Sequence, residues 1–214
     1  MKAACVKDYR LLAKKKLPKF LFEYLDGGSY SELTKSQNFK DLEALPLRQR
    51  VLRGSSNIDT KIKLFGSSFN LPVALGPVGL AGMYARRGEC QALKAAENCE
   101  IPFSLSTVGV CSLEEVSKVS KKPFWFQLYM IRDRSFMIDL LNQAKEAKCS
   151  ALIFTVDMPV PGSRYRDYNS GLAGESWLSG NIRRISQAIT KPSWALDVGV
   201  FGMPHKLGNV TPLL

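Results

Sequence analysis

The chain has 214 residues, 45% of them hydrophobic and 23% charged, a composition that is typical of globular domains and excludes disorder throughout. Its formal net charge is +11, but the basic residues form short scattered clusters, and no helix-turn-helix, zinc-finger or RNP-type signature accompanies them. We therefore predict no nucleic-acid partner. We interpret the charge as a solvated basic surface, with contact to an anionic membrane as the alternative.

The cysteines and the N-terminus indicate the compartment. Five cysteines are scattered along the chain, without a C-x-x-C pair and without metal-ligand spacing to the only histidine, His205. This pattern predicts reduced thiols in a cytosolic compartment and no metal site. The N-terminus lacks the apolar stretch of a signal peptide, and the longest mostly apolar run, residues 71–85, is too short and too rich in glycine and proline to span a bilayer. We expect a soluble or peripheral protein.

Residues 1–70 read as N-terminal helices followed by a β-like lead-in. Apolar side chains at helical spacing predict one amphipathic helix whose shared face holds Phe20, Leu21, Tyr24 and Leu25. Residues 46–70 are irregular or β-like, and the segment that begins at Phe65 suits a hairpin turn.

A strand-helix unit then recurs over residues 71–157. Its strand-like runs are Leu71–Leu75, Phe103–Ser106, Phe124–Met130 and Ala151–Val156. Amphipathic helical patterns follow the first three runs, and the fourth run is apolar at nearly every position, which predicts a strand covered on both faces. Strands that alternate with helices pair in parallel, because a crossover helix returns the chain to the same end of the sheet.

The number of these units predicts the fold. A closed barrel of this type has eight of them, whereas this sequence supplies four strand-like runs. We therefore predict an α/β fold that is the N-terminal half of a TIM (β/α)8 barrel, preceded by helical lead-in segments. Residues 158–214 are predicted to be a long loop after the fourth strand, with one helix-compatible stretch near residues 181–190.

Polar residues at the strand ends are the candidates for chemistry, since active sites of such folds collect there. Gln127 and Tyr129 are two positions apart on one strand, so their side chains project from the same face. The amide of Gln127 and the hydroxyl of Thr155 suit the donor and acceptor edge of a heterocycle. The alternative is a polar layer that satisfies its own hydrogen bonds inside a barrel.

Three further candidates each have a structural alternative. The small residues of Gly76-Pro77-Val78-Gly79 would let backbone amides approach a flat ligand, or form an ordinary turn between strand and helix. The guanidinium of Arg164 could bind a carboxylate through paired hydrogen bonds, or lie exposed in a loop. Asp157 could orient a catalytic histidine, or cap a loop.

Taken together, these residues closely resemble the FMN-dependent α-hydroxy acid dehydrogenases and oxidases, and the bacterial respiratory members that act on L-lactate match best. The likeness covers the chain in order. The matching segments are Phe22–Gly28, Pro72–Gly79, Gly82–Glu89, Leu105–Val108, Trp125–Tyr129, Phe154–Pro159, Gly162–Asp167 and Pro204–Asn209.

The resemblance implies a TIM barrel with FMN at its C-terminal mouth and the oxidation of a small 2-hydroxy acid, L-lactate to pyruvate. The flavin ring would be held by the Pro77, Val78 and Gly79 backbone together with Ser106, Gln127 and Thr155. Tyr24 and Tyr129 would contact the substrate, and Arg164 its carboxylate. A quinone or cytochrome would reoxidise the flavin, at the cytoplasmic side of the bacterial inner membrane or otherwise in the cytoplasm.

Several residues of the family pattern have no counterpart in this sequence. The relatives use a histidine in a Ser-Asn-His-Gly-Gly context as the base, a nearby arginine, a fifth-strand lysine and later glycine-rich turns for the FMN phosphate. His205 is not the base histidine, because the relatives have its loop in addition. Asp157 would therefore orient a base absent from this chain. We expect an N-terminal portion of such an enzyme, or alternatively a non-catalytic barrel fragment that assembles with a separate C-terminal chain or as a homo-oligomer.

Overall fold

The computed structural model describes residues 2–54, 58–157, 160, 162–204 and 206–210. In chain order the elements are α1 (Val6–Lys16), α2 (Lys19–Asp26), α3 (Leu33–Glu43), β1 (Ile62–Leu64), β2 (Ser67–Phe69), α4 (Ala81–Tyr84), α5 (Gly88–Cys99), β3 (Ser104–Ser106), α6 (Leu113–Val119), β4 (Trp125–Tyr129), α7 (Arg134–Glu146), β5 (Ala151–Thr155), α8 (Tyr165–Ser170), α9 (Trp177–Ile189), α10 (Pro192–Trp194) and a π-helical turn (Ala195–Val200).

These elements form two compact units, Met1–Ile58 with Val160–Ala195 and Asp59–Pro159 with Leu196–Leu214. Three predicted motif residues, Met158, Pro159 and His205, lie outside the described residues. Within the described ranges, no helix combines the length and the apolar character that crossing a membrane requires.

The second unit contains a parallel sheet with helices on one face. β3 pairs with β4, and β4 pairs with β5, both in parallel. Alternate strand residues, among them Leu105, Phe126 and Leu128, are buried in one apolar core with side chains of α5, α6 and α7. The opposite face therefore presents the intervening residues, which include Ser106, Gln127 and Thr155. One-sided coverage by crossover helices is the arrangement of a barrel wall, and over the described residues this wall is open rather than closed.

The first predicted strand, Leu71–Leu75, is wrong except at its last residue. Leu75 forms an isolated parallel bridge to Phe103, in which its amide donates to Pro102 O at 2.9 Å and its carbonyl accepts from Ser104 N at 3.0 Å. Pro72 has no amide hydrogen to give a ladder, and Leu71 and Val73 are exposed. The first strand of the predicted barrel is therefore reduced to this one bridge beside β3.

The later strands and helices confirm the predicted order, with one correction of burial. The helices predicted after the second and third strands are α6 and α7, and Ser112 caps α6 by accepting the Glu115 amide at 3.1 Å. The fourth predicted strand is β5, but Leu152 and Phe154 on its helix-bearing face are about half exposed. The expectation of cover on both faces is thus wrong, because the packed helices bury β3 and β4 rather than β5.

The first unit is helical. Phe20, Leu21 and Phe22 of α2 are buried, whereas Leu25, predicted to share the buried face, is 48% exposed. The Phe20 amide donates to Gln187 Oε1 of α9 at 2.8 Å, and the Phe20 ring packs edge-on against Trp194 with centroids 6.5 Å apart. The helix predicted near residues 181–190 begins earlier, at Trp177.

Candidate functional site

A chain of hydrogen bonds links the carboxyl ends of three neighbouring strands. Gln127 lies at the centre of it and is only 2% exposed. Its Oε1 accepts from Ser106 Oγ of β3 at 3.0 Å, and its Nε2 donates to Thr155 Oγ1 of β5 at 2.7 Å. The strand register places Gln127 opposite Ser106 and Tyr129 opposite Thr155. The structure thus brings together three of the residues that the sequence singles out for a planar heterocycle.

The hydrogen-bonding capacity of the Gln127 side-chain amide is only partly satisfied by the described residues. Its Oε1 also lies 3.4 Å from the Thr107 amide, so the acceptor has two donors. Of the two Nε2 hydrogens, one is given to Thr155, and in the described part of the chain no acceptor faces the other. A buried donor without a partner is unfavourable unless a ligand supplies the acceptor. The position suits a carbonyl or ring nitrogen of a bound heterocycle.

Thr107 is a positioning residue that the site prediction from sequence missed. Its Oγ1 donates to the Gln127 carbonyl at 2.5 Å and accepts the Tyr129 amide at 3.3 Å, and the side chain is 1% exposed. It therefore fastens the end of β3 to the end of β4 around Gln127. Its place directly after Ser106 at a predicted strand end was the available signal.

Asn209 is a second missed positioning residue. Its Oδ1 accepts the Leu113 amide at 2.7 Å, and its Nδ2 donates to the Ser106 carbonyl at 3.3 Å. The side chain is 3% exposed. A residue close to the end of the described chain thus connects the end of β3 to the start of α6, a link that no local sequence pattern indicates.

The Pro77-Val78-Gly79 segment forms a turn that packs against the loop after β3. The Leu80 amide donates to Val108 O at 2.9 Å. A Cβ placed on Gly79 would meet Val108 Cγ2 at 2.8 Å, closer than atoms tolerate without movement. A glycine is therefore required here for close packing, and the segment lies beside a mainly apolar cavity of 260 Å³ lined in part by Gly76, Val78 and Ser106.

Two other predicted residues of this unit lie at the same strand ends. Tyr129 ends β4 and is partly buried, while Asp157 follows β5 and is exposed. Within the described residues, Asp157 makes no hydrogen bond or ion pair, so its carboxylate is open to a further partner. The sequence has no counterpart of the histidine that Asp157 is expected to orient, so this role of Asp157 stays a prediction.

Tyr24 and Arg164 come together in the helical unit. The Arg164 guanidinium carbon lies 4.7 Å from the centre of the Tyr24 ring, a cation–π contact. Its Nη2 donates to the carbonyls of Tyr24 and Gly27, the latter at 3.0 Å, and its Nε lies 3.2 Å from Asp167 Oδ2. Arg164 is therefore not a free loop arginine. Its predicted contact with a substrate carboxylate stays a prediction.

An ion-pair network surrounds this pair. Asp26 accepts from Arg10 Nη2 and from Arg166 Nη1, each at 2.9 Å, and Arg166 also bonds Glu23 and Glu32. The Arg10 hydrogen bond, with help from Arg166, lowers the pKa of Asp26 to about 2 against the opposing effect of burial. These contacts hold the 162–170 segment against α2.

Comparison with known proteins identifies the family. Residues 13–210 match the model of the family described as FMN-dependent dehydrogenase. The chain belongs to the FMN-dependent dehydrogenase family. It is 58% identical over 207 residues to an L-lactate dehydrogenase of Caulobacter sp. (strain K31), covering 97% of this chain and 54% of the relative. An L-lactate dehydrogenase of Ectopseudomonas mendocina (strain ymp) is 56% identical over 204 residues, covering 95% of this chain and 53% of the relative.

Solved structures give the same family. The monotopic membrane protein (S)-mandelate dehydrogenase superposes with a TM-score of 0.86 at 29% identity, over 98% of this chain and 55% of that one. A mandelate oxidase superposes with a TM-score of 0.75 at 29% identity, over 90% of this chain and 60% of that one. The chain spans about half the length of the curated relatives it matches.

The cofactor of the family is FMN, and the described residues fit part of it. The unpartnered Nε2 hydrogen of Gln127 and the partly buried Thr155 hydroxyl suit the polar edge of the flavin ring. The glycine at position 79 keeps the turn free of a Cβ, so the backbone remains close to Val108. The fit thus concerns the flavin ring alone.

Proposed function

We propose that this chain forms the flavin-ring half of an enzyme that oxidises a 2-hydroxy acid, L-lactate to pyruvate. The observation that supports it is the Gln127 amide, which joins Ser106 and Thr155 at three strand ends and, among the residues that the structure describes, keeps one donor without an acceptor. The curated relatives that carry the same sequence pattern are named L-lactate dehydrogenase.

The roles of the chain's own residues follow from their chemistry. Gln127 and Thr155 would bind the pyrimidine edge of the flavin, Ser106 would orient the Gln127 amide, and the Pro77-Val78-Gly79 backbone would lie along the ring. The flavin, when bound, accepts the two electrons that leave the α-carbon of the hydroxy acid. The protein contributes placement and charge.

Three further residues have proposed roles toward the substrate. Tyr129 and Tyr24 would offer hydroxyls to the hydroxy acid, and Arg164 would pair with its carboxylate. Arg164 already donates to backbone carbonyls. It would therefore bind substrate through its remaining guanidinium N–H groups. Asp157 would orient a base, which this sequence does not supply.

We infer peripheral contact with an anionic membrane through α9, at the cytoplasmic face of the bacterial inner membrane. Helix α9 has its polar side turned to the protein. Gln187 Nε2 donates to Ser170 O at 2.9 Å, and Arg184 Nη1 donates to Leu172 O at 3.3 Å. Its apolar side chains are 60–80% exposed, at Trp177, Leu178, Ile182, Ile185 and Ile189.

A helix that displays its apolar stripe to solvent is suited to the membrane interface. Trp177 of α9 is 80% exposed, whereas Trp194 is buried against Phe20, so the proposal rests on α9. A membrane quinone or a cytochrome would then be the electron acceptor.

The second candidate is a non-catalytic fragment, or a half that assembles with a separate C-terminal chain or as a homo-oligomer. It is favoured by Leu152 and Phe154, large apolar side chains on β5 that are about half exposed. A strand at the edge of a sheet with apolar side chains is a template for further pairing.

Titration of the purified chain with FMN separates the two candidates. Binding, seen as quenched flavin fluorescence, followed by bleaching of the visible absorbance on anaerobic addition of L-lactate, would establish the enzyme. Binding without bleaching would favour the half that needs a second chain. Absence of any binding at FMN concentrations up to the millimolar range would contradict the flavin proposal.

A further inference from the structure

Two cysteine side chains meet in the apolar core on the helix-bearing side of the sheet. Cys90 lies in the first turn of α5, and Cys111 lies directly before the cap residue of α6. Their Sγ atoms are 3.7 Å apart. Cys90 is 7% exposed and Cys111 is fully buried, so only Cys90 can be reached from solvent.

Charged groups around this pair distinguish the two thiols. Arg87 forms an ion pair with Glu115, whose Oε1 lies 4.0 Å from Cys90 Sγ. The hydrogen bond with Cys111 lowers the pKa of Cys90 to about 7, with support from Arg87 and Lys94 and against the opposing effects of burial and the Glu89 carboxylate. The same hydrogen bond, burial and the nearby Glu89 carboxylate raise the pKa of Cys111. Cys90 is therefore the thiol that ionises, and its position at a helix N-terminus favours the thiolate further.

A metal site is the competing assignment for these side chains. Ligand atoms of Cys90, Cys111 and Glu115 lie within 4.8 Å of one another. The Glu115 carboxylate is already paired with Arg87, and a guanidinium cation beside the cluster repels a divalent ion. The arrangement of one activated thiol and one protonated neighbour favours thiol chemistry instead.

We propose that Cys90 and Cys111 are a peroxide-reactive thiol pair that closes to a disulfide. The Cys90 thiolate attacks one oxygen of hydrogen peroxide, the O–O bond breaks, and sulfenic acid forms with release of hydroxide. Cys111 then attacks the Cys90 sulfur, the S–S bond forms, and the sulfenic hydroxyl leaves as water with the Cys111 proton. In sum, two thiols and one peroxide give one disulfide and two waters, and the thiols lose two electrons.

The geometry allows this bond with little movement. A disulfide needs a sulfur–sulfur distance of about 2 Å, so the two sulfurs must approach by less than about 2 Å. The bond would tie α5 to the loop that follows β3. That loop carries Val108, whose carbonyl accepts the Leu80 amide, and Val110, whose amide donates to Glu89 at 2.7 Å. Oxidation would thus stiffen the segment between the Gly79 turn and α6.

The test uses the full chain with exposed Cys5 and Cys99 replaced by serine. After treatment with hydrogen peroxide at about pH 7, non-reducing peptide mapping should show a Cys90–Cys111 linked peptide, lost on reduction. Cys149, whose pKa is raised to about 12 by burial, is the matched control and should react more than about tenfold more slowly than Cys90.

Two variants make the outcome decisive. Cys111→Ser should abolish the cross-link and leave a sulfenic acid on Cys90 that dimedone traps, whereas Cys149→Ser should leave the cross-link unchanged. Circular dichroism checks that each variant folds. A peroxide-treated parent chain in which Cys90 and Cys111 both remain alkylatable thiols would overturn the proposal, as would oxidation of Cys149 in preference to Cys90.

Discussion

Gln127 Nε2 lies 2.7 Å from Thr155 Oγ1, so one buried amide connects the carboxyl ends of two adjacent parallel strands. Because the same amide accepts from Ser106 on the other side, it can be held in a single orientation without a ligand. A donor whose direction is fixed before binding loses little entropy when the ligand arrives.

Replacement of Gln127 by methionine is expected to weaken FMN binding while the fold survives. Methionine keeps the approximate volume of the side chain but removes the amide, so the ring loses a donor, and Ser106 and Thr155 lose the partner that orients the site. We expect FMN affinity to fall about tenfold or more, equivalent to about 1.4 kcal/mol or more. Flavin fluorescence quenching measures it. Gln91→Met, at an exposed position on α5, is the matched control, and equal losses in both variants would contradict the role of Gln127.

The turn at Gly79 offers a steric prediction. Gly79→Ala places a Cβ 2.8 Å from Val108 Cγ2, so the turn or the valine must shift, and we expect weaker FMN binding. Gly199→Ala, in the π-helical turn, meets nothing within 4 Å and should bind FMN as the parent does. Shortening Val108 to alanine in the Gly79→Ala background should restore affinity. Failure of this rescue would mean that the contact with Val108 is not the cause.

Asn209 should stabilise the second unit. Asn209→Ala leaves the Leu113 amide without its buried partner and removes one of the two donors to the Ser106 carbonyl, which keeps the Gly109 amide. We expect a loss of about 1–3 kcal/mol in the free energy of unfolding, measured by urea denaturation. Asn142→Ala, exposed on α7, should change stability by less than about 0.5 kcal/mol. A similar small change for Asn209→Ala would show that water replaces the lost partner.

The low pKa of Asp26 predicts acid sensitivity. Its folded pKa of about 2 is below the ordinary 3.8, so its ion pairs stabilise the fold above about pH 4, and this contribution disappears as the pH falls through about 2. At neutral pH, Asp26→Asn should cost about 1–2 kcal/mol of unfolding free energy, after allowance for solvent screening. The difference from the parent should shrink toward pH 2, while the difference for Asn142→Ala, which removes no ionisable group, should not change with pH. A difference that is constant with pH would exclude the linkage.

The apolar stripe of α9 should govern membrane binding. In flotation with vesicles that contain anionic lipid, the parent chain should rise with the lipid, and high salt should release it, because the net charge of +11 contributes to attraction. The double change Ile182→Ser and Ile185→Ser should abolish flotation. Ile138→Ser, at an exposed isoleucine of α7, should not. Flotation that resists salt would exclude the electrostatic contribution.

The sequence predicts the periodic parts of this fold well. Amphipathic helical patterns locate α6 and α7, and polar residues at the ends of apolar runs locate Ser106, Gln127 and Thr155. The first strand fails because its prediction rests on apolar content alone, while Pro72 and the exposed Leu71 and Val73 permit only the Leu75 bridge. Strand pairing depends on a neighbour, which local composition does not reveal.

Long-range contacts account for the rest. Asn209 reaches Ser106 and Leu113 across about half of the sequence, and no spacing rule connects such positions. Arg164 looked like an exposed loop residue, but its guanidinium covers Tyr24. In both cases a polar side chain finds its partners only after the surrounding elements have packed.

The orientation of α9 also has a practical consequence for handling the protein. Hydrogen bonds from Gln187 and Arg184 hold this helix while its isoleucines face water. In a preparation without detergent or lipid, the exposed apolar surface would adsorb to plastic and resin or aggregate with another copy of the chain. An activity measured in such a preparation would be that of aggregated protein. Adding a mild amphiphile at lysis would keep the molecules dispersed.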